Sequence, residues 1–127
     1  MEPQITGSAS RVVTVGSRAI GYRVFGDTSS SRTVISAHGG LVSAGDASAY
    51  DEIARDRGIR IVSPDRPGVG MSDRDPQRSI LSWGHEDVGA VLDDIGATDA
   101  VALGWSAGGQ YALAAAVAQA DRIRGVV

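Results

Sequence analysis

The sequence GWSAGG at residues 104–109 places a serine between glycines that stand two positions away on either side. Residues 100–103 (AVAL) before it predict a short buried strand, and residues 107–120 after it predict a helix that is apolar almost all round. A helix without a polar face belongs in the interior of a domain. A G-x-S-x-G sequence between a strand and a helix is typical of a nucleophile elbow, in which a sharp turn exposes the serine hydroxyl above a sheet.

The spacing of the small residues around Ser106 has a physical reason. A tight turn from strand to helix forces the serine into a strained backbone conformation, and side chains at Gly104 and Gly108 would collide with neighbouring backbone. The helix that starts behind the serine offers free N–H groups and the positive end of its dipole, which favour an oxyanion there. We therefore expect Ser106 to be a nucleophile and the N–H of Ala107 to be the first oxyanion donor.

Two other interpretations of this motif stay open at this point. The glycines can simply form a tight turn, or they can permit close packing of a helix on a sheet. A dinucleotide-binding loop is set aside, because it requires G-x-G-x-x-G after the first strand of its unit. Here Ser106 holds the position of the second glycine, and several predicted strands precede it.

Strands and helices alternate along most of the chain. From residue 33 onward the spacing of the predicted strands requires crossover connections, which is the pattern of a mostly parallel sheet with helices on both faces. The chain opens instead with two β-branched runs joined through Gly16 and Ser17, which predict an antiparallel hairpin. The fold class is therefore α/β, with strands predicted at 11–15, 20–25, 33–37, 59–63, 100–103 and 123–127, and helices at 46–57, 80–95 and 107–120. The first two helices each have apolar residues at helical spacing, which predict a buried stripe: Ala47, Tyr50, Ile53 and Ala54 in the first, and Leu81, Val88, Val91, Leu92 and Ile95 in the second.

The motif His38-Gly39-Gly40 follows the predicted strand at 33–37, at the same edge of the sheet as Ser106. Parallel α/β sheets place ligands at that edge, and two glycines let the backbone approach a substrate and aim an N–H at it. A flexible loop is the alternative interpretation. His38 could act as a base, but we expect it to be a structural residue that holds its own loop.

The segment DRPGVGMS at residues 65–72 also leaves a predicted strand at this edge. Asp65 and Arg66 could act as an acid and an electrophile. We expect them instead to make hydrogen bonds that fix the loops beneath the site, while proline and glycine set the turns.

Composition limits the classes of function. The chain has 127 residues, of which 43% are hydrophobic and 21% charged, and this fits one globular domain. It has no cysteine and its two histidines, His38 and His85, stand far apart, so we expect no metal site and no bound cofactor. The net charge of −3 disfavours nucleic acid, and no apolar run is long enough to span a membrane.

The source and the compartment are also expectations from composition. All twelve basic residues are arginine, which together with abundant glycine and alanine favours a GC-rich bacterial genome. Met1–Ser10 lacks a basic start followed by an apolar stretch, so no signal peptide is expected. We therefore expect a cytoplasmic protein.

The three motifs in this order closely resemble the α/β-hydrolase fold superfamily, and in particular its single-domain esterase and haloperoxidase-like branch with a serine nucleophile. The resemblance implies that Ser106 attacks a carbonyl to form an acyl-enzyme on a small carboxylic ester, lactone or related acyl substrate. Dehalogenase and epoxide hydrolase reactions use a carboxylate nucleophile in this family, and the serine disfavours them. The resemblance implies that the N–H groups of Gly40 and Ala107 form an oxyanion hole. It implies that Leu41 and Trp105 line an acyl pocket. The residues that it implies as supports of the elbow and its loops are Gly104, Gly108, His38, Gly39 and Asp65.

The family order is nucleophile, then acid, then histidine. Only 21 residues follow Ser106, none of them is a histidine, and the one acid, Asp121, has the position of a surface residue at the end of a helix. We therefore expect residues 1–127 to be a single incomplete domain, the N-terminal half of the fold, and to be inactive alone. A C-terminal segment or a second chain would complete the sheet. The alternatives are a non-catalytic hydrolase-like binding protein and one half of a split enzyme.

Overall fold

The computed structural model describes residues 9–127. Residues 1–8, which make up most of the segment in which no signal peptide is expected, lie outside the described residues. The described chain forms one six-stranded sheet with the order β1-β2-β4-β3-β5-β6. Its strands are β1 (Ala9–Val15), β2 (Arg18–Gly26), β3 (Thr33–Ala37), β4 (Arg60–Pro64), β5 (Ala100–Gly104) and β6 (Ile123–Val126).

The sheet confirms the predicted fold class. β1 and β2 form the predicted antiparallel hairpin, whose turn contains Gly16 at φ +58°, and β2 also runs antiparallel to β4. β3, β4, β5 and β6 run parallel to one another. The loops after β3, β4 and β5 therefore leave the sheet at one edge, where all three sequence motifs lie.

Helices cover both faces of the sheet, although unequally. One face carries the larger core, built from β-strand side chains such as Ile20, Ile35 and Val62 together with the helices that follow β4 and β5. The other face carries a small core of four buried residues, Phe25, Ala47, Ala54 and Ile61. The helices are α1 (Asp51–Asp56), α2 (Ile80–Ser82), α3 (Gly89–Ile95) and α4 (Gly108–Ala118).

The helix predicted at 46–57 differs from the structure in its first half. Residues 44–50 form a 3₁₀ helix, and α1 is a short α-helix that continues it to Asp56. The predicted apolar stripe is only half buried: Ala47 and Ala54 are inside, whereas Tyr50 and Ile53 are exposed. A 3₁₀ helix has three residues per turn, so a stripe spaced for an α-helix does not stay on one side.

The helix predicted at 80–95 contains a π-helical segment at Trp83–Val88, between α2 and α3. A π-helical segment shifts the phase of the side chains that precede it relative to those that follow. As a result Leu81, predicted in the buried stripe, is exposed, and Trp83 takes the interior position. Val88, Val91 and Leu92 are buried as predicted.

The expectation that the helix after the elbow lies in the interior holds for one side of α4 only. Gly108, Ala112 and Ala115 are buried, whereas Leu113 and Val117 are 59% and 71% exposed. The apolar composition of this helix predicted burial on all sides. In the described residues, the helix is covered only on the side that faces the sheet and the π-helical segment.

Candidate active site

Ser106 occupies the turn between β5 and α4 with φ +54°. It is the only residue other than glycine with a positive φ among residues 9–127. The left-handed region is unfavourable for an L-residue with a side chain, so the surrounding structure has to hold the serine there. The side chain is exposed at the carboxyl edge of the sheet.

Both glycines of the elbow are required by close backbone approach. A Cβ on Gly108 would lie 2.0 Å from the carbonyl oxygen of Ala37 and 2.7 Å from that of His38. A Cβ on Gly104 would lie 2.6 Å from Cα of Gly109. No real Cβ fits at these distances, so α4 can pack against the end of β3 and the elbow can close only with glycine at both positions.

Gly40 lies beside Ala107, so the loop after β3 meets the start of α4. A Cβ on Gly40 would be 3.5 Å from Cβ of Ala107. Within the described residues, the N–H groups of Gly40 and Ala107 have no hydrogen-bond acceptor. Unpaired N–H groups on two neighbouring residues, beside an exposed serine, are the components that an oxyanion hole requires.

His38 is buried at 2% exposure, and both ring nitrogens are engaged. The N–H of Arg66 donates to Nε2 over 3.2 Å, so Nε2 is the unprotonated nitrogen. Nδ1 therefore carries the hydrogen and donates it to the carbonyl oxygen of Gly39 over 2.8 Å. Burial lowers the pKa of His38 from its ordinary value, which keeps the ring neutral in this tautomer.

Asp65 joins the segment that follows β3 to its own loop after β4. Its carboxylate accepts hydrogen bonds from the N–H of Ala44 at 2.8 Å and from the N–H of Met71 at 3.1 Å. A Cβ on Gly70 would overlap this carboxylate at 2.4 Å, which explains the small residue there. Asp65 is 3% exposed, and each of its carboxylate oxygens accepts one of these hydrogen bonds. This is the geometry of a residue that supports loops.

The side chain of Arg66 is buried beneath the loop after β3. Its guanidinium donates to the carbonyl oxygens of His38 and Gly39 and lies 4.2 Å above the ring of Tyr111 on α4. Burial lowers the pKa of Arg66 from its ordinary value, although a guanidinium remains charged at neutral pH. Sequence reasoning missed Tyr111, because nothing in an apolar helix distinguishes a tyrosine that supports a cation from one that fills a core.

Trp105 and Leu41, predicted to line an acyl pocket, flank the two candidate oxyanion donors. Trp105 is 57% exposed and Leu41 is fully exposed. A Cβ on Gly39 would lie 2.8 Å from Nε1 of Trp105, so the indole lies directly on the loop after β3. Val42 adds a third exposed apolar side chain on this loop.

No imidazole lies near Ser106 in the described chain except the buried His38. The carbonyl oxygen of His85 accepts a hydrogen bond from Gln119, just after the end of α4. Ser106 precedes the start of this helix, whose eleven residues span about 16 Å at the usual rise per residue. Asp121 is exposed in the turn after α4, also at the far end of the helix.

No group of three or more histidine, cysteine, aspartate or glutamate residues within 9–127 has the arrangement of a metal site. In the same part of the chain, no helix is long and apolar enough to cross a bilayer.

Comparison with known proteins agrees with this arrangement. A sequence model described as "Alpha/beta hydrolase family" matches residues 34–127. A search of curated proteins finds no match. Solved structures match nearly the whole chain. Three of them have different named activities.

A predicted CIB-like hydrolase from Thermoplasma acidophilum is 21% identical with a TM-score of 0.78, and the match covers 94% of this chain and 61% of that one. Epoxide Hydrolase A from Mycobacterium thermoresistibile is 25% identical with a TM-score of 0.78, over 94% of this chain and 38% of that one. A mutant of the N-acyl homoserine lactonase AidH, complexed with N-hexanoyl homoserine, is 24% identical with a TM-score of 0.79, over 94% of this chain and 43% of that one. The chain thus spans less than two thirds of the length of each of these structures.

The matched region begins inside β3 and contains all three motifs of the site: the loop at His38, the loop at Asp65 and the elbow at Ser106. It covers most of the chain, and the solved structures share the arrangement of the sheet over more than nine tenths of it. The chain belongs to the alpha/beta hydrolase family.

Proposed function

We propose that the complete protein is a serine hydrolase that forms an acyl-enzyme on Ser106. In this proposal the N–H groups of Ala107 and Gly40 form the oxyanion hole. Gly104 and Gly108 permit the elbow, and His38, Gly39 and Asp65 support the adjacent loop. The observation that carries the proposal is the positive φ of Ser106, a strained conformation in an exposed polar residue at the edge of the sheet.

The reaction follows from the positions of these groups. Ser106 Oγ attacks the carbonyl carbon of the substrate, its proton passes to a base, and the carbonyl π electrons move onto the oxygen. The two N–H groups stabilise the resulting oxyanion. The oxyanion then collapses, the bond to the leaving group breaks, and the leaving group takes the proton. Water hydrolyses the acyl-enzyme by the same steps and regenerates the serine.

The base and the acid that orients it are part of the proposal. His38 is buried with both ring nitrogens engaged, and His85 lies at the far end of α4. We therefore assign both roles to residues outside these 127, either in a C-terminal segment of the complete protein or in a second chain. A serine without a base is a weak nucleophile near neutral pH, so the chain of 127 residues is expected to be inactive alone.

The proposed substrate is a small carboxylic ester, a lactone or a related acyl compound. The exposed apolar side chains of Leu41, Val42 and Trp105 flank the candidate oxyanion donors and suit an apolar acyl group. Structures named as a lactonase and as a thioesterase domain are among the fold relatives. Other relatives are named as epoxide hydrolases, but the serine at the elbow favours acyl transfer over opening of an epoxide. We place this activity in the bacterial cytoplasm.

A fluorophosphonate probe tests the proposal, because it phosphonylates an activated serine. The complete protein is expected to label at Ser106 with one probe per chain, and Ser106→Ala is expected to abolish labelling. Ser36→Ala is the matched control, since Ser36 is a buried serine on β3 and should leave labelling intact. The isolated 127 residues are expected to label weakly or not at all.

A non-catalytic protein that binds a small molecule in the same cleft is the second candidate. The observation that favours it is that no base lies near Ser106 in the described chain. Absence of labelling in the complete, folded protein would support this candidate and contradict the serine hydrolase. Rapid stoichiometric labelling of the 127 residues alone would show that the base lies inside them.

A further inference from the structure

We propose that Arg66 is a positioning residue for the oxyanion hole and that Tyr111 fixes it in place. This inference rests on the proposed function, since it concerns the N–H group of Gly40. Within the described residues, neither side chain makes a hydrogen bond to Ser106. Arg66 acts through the peptide group between Gly39 and Gly40.

The planarity of that peptide couples the directions of its two polar groups. The carbonyl oxygen of Gly39 and the N–H of Gly40 belong to one peptide unit, and the described chain contains no cis peptide bond. In a planar trans peptide the C=O and N–H bonds point in opposite directions. A group that holds the oxygen of Gly39 therefore sets the direction of the N–H of Gly40.

Two buried side chains hold that oxygen. Nδ1 of His38 donates to it over 2.8 Å, and the guanidinium of Arg66 donates to it over 3.1 Å. Arg66 also donates to the carbonyl oxygen of His38, so it fixes two successive peptide units of the loop. The glycines of this loop have wide conformational freedom of their own, so the loop needs such external contacts to hold one geometry.

A cation at the oxygen of Gly39 also polarises the peptide. Hydrogen bonds in series strengthen one another, and an amide whose oxygen accepts from a charged donor becomes a better N–H donor. The positive charge of Arg66 thus supports an oxyanion at Gly40 without contacting it.

Tyr111 connects this arrangement to the elbow. Its ring lies 4.2 Å below the guanidinium of Arg66, and it belongs to α4, the helix that begins directly after Ala107. The ring is itself held by Trp83, whose indole packs edge-to-face on it with 5.4 Å between centroids and 87° between planes. One stack of side chains therefore joins the helix that carries the first donor to the loop that carries the second.

The test compares four variants of the protein labelled with ¹⁵N at glycine. Arg66→Lys keeps the charge but cannot donate to two carbonyls and lie flat on a ring, so the amide resonance of Gly40 should shift. Tyr111→Leu should have the same effect, and Tyr111→Phe, which retains the ring, should restore the wild-type resonance. Arg18→Lys is the matched control, because Arg18 is also largely buried but binds Asp87.

The kinetic arm uses the complete enzyme with a chromogenic ester. Misplacing one donor should lower kcat of Arg66→Lys by roughly 10- to 100-fold while KM changes little. The kcat of Tyr111→Phe should stay close to that of the wild-type enzyme. The kcat of Tyr111→Leu should lie between those of Tyr111→Phe and Arg66→Lys. A merely structural role would lower thermal stability in Arg66→Lys and Arg18→Lys alike and leave kcat of the folded fraction unchanged.

The two proposals fail in different ways. An unshifted Gly40 resonance in folded Arg66→Lys overturns the positioning role, whatever the catalytic activity. If Ser106 of the wild-type protein reacts with neither probe nor ester, the serine hydrolase proposal is contradicted. The resonance of Gly40 still tests, independently of that result, whether Arg66 holds the loop. A shifted resonance together with an unchanged kcat also overturns the positioning role.

Discussion

The two sides of α4 have the same apolar composition and opposite environments. On the inner side, Gly108 meets backbone atoms of β3 so closely that no further atom fits, and Ala112 and Ala115 are buried. On the outer side, Leu113 and Val117 project into open space. The contrast shows that the elbow depends on the approach of backbone to backbone, which hydropathy does not measure.

The largest expected effect comes from adding one carbon atom on the inner side. Gly108→Ala would place Cβ against the carbonyl groups of Ala37 and His38, neither of which can move without disturbing β3. We expect a loss of about 4 kcal/mol in the free energy of unfolding, or failure to fold. Gly109→Ala is the matched control: its Cβ has nothing within 4 Å, and it should stabilise the helix by about 0.5–1 kcal/mol. Urea denaturation measures both, and equal effects would contradict the close approach.

An intermediate effect on stability is expected from His38, whose backbone lies against Gly108 on the inner side of α4. Burial lowers the pKa of His38 below its unfolded-state value of about 6.5. The neutral ring therefore stabilises the fold above that pH, and this stabilisation is lost as the pH falls through the folded-state pKa. The urea concentration at the midpoint of unfolding should decrease as the pH is lowered from 7 to 5. His38→Gln should weaken this pH dependence, because an amide does not titrate in that range. The exposed His85 provides the control, and an equally flat curve for His85→Gln would show that His38 is not the titrating group.

The smallest effect on stability is expected on the outer side. Leu113→Gln combined with Val117→Gln should change the free energy of unfolding by no more than about 0.5 kcal/mol, because both side chains are exposed. Ala112→Gln, one residue away and 1% exposed, should cost about 3 kcal/mol. Chemical denaturation gives these values, and a large loss in the double variant would mean that the outer side is covered in solution.

The sequence predicts the sheet and the strained turn at Ser106 well because their signals are local. The β-branched runs give the strands, and the G-x-S-x-G spacing marks a turn whose glycines at 104 and 108 have no room for a side chain. Such constraints act between residues that are near one another in the chain, or on a backbone geometry that only glycine permits.

The details that the sequence does not reveal depend on contacts between distant residues. The π-helical segment at Trp83–Val88 lies where Gly84 approaches the backbone of α4, since a Cβ there would be 2.8 Å from the carbonyl oxygen of Ala114. The contact of Arg66 with Tyr111 joins residues 45 positions apart in the sequence. A single sequence carries no signal for such pairs, because an arginine or a tyrosine in a loop or a helix suits many neighbours equally.

The left-handed backbone of Ser106 has a consequence for how this sequence can change over generations. Among residues 9–127 it is the one position where replacement of another amino acid by glycine would relieve a positive φ. Selection for a stable fold alone would favour that replacement, since strain of this kind costs about 1–2 kcal/mol. A lineage that kept the fold but no longer needed the hydroxyl would drift towards glycine at position 106, so a retained serine is a marker of continued use that can be sought in related genomes.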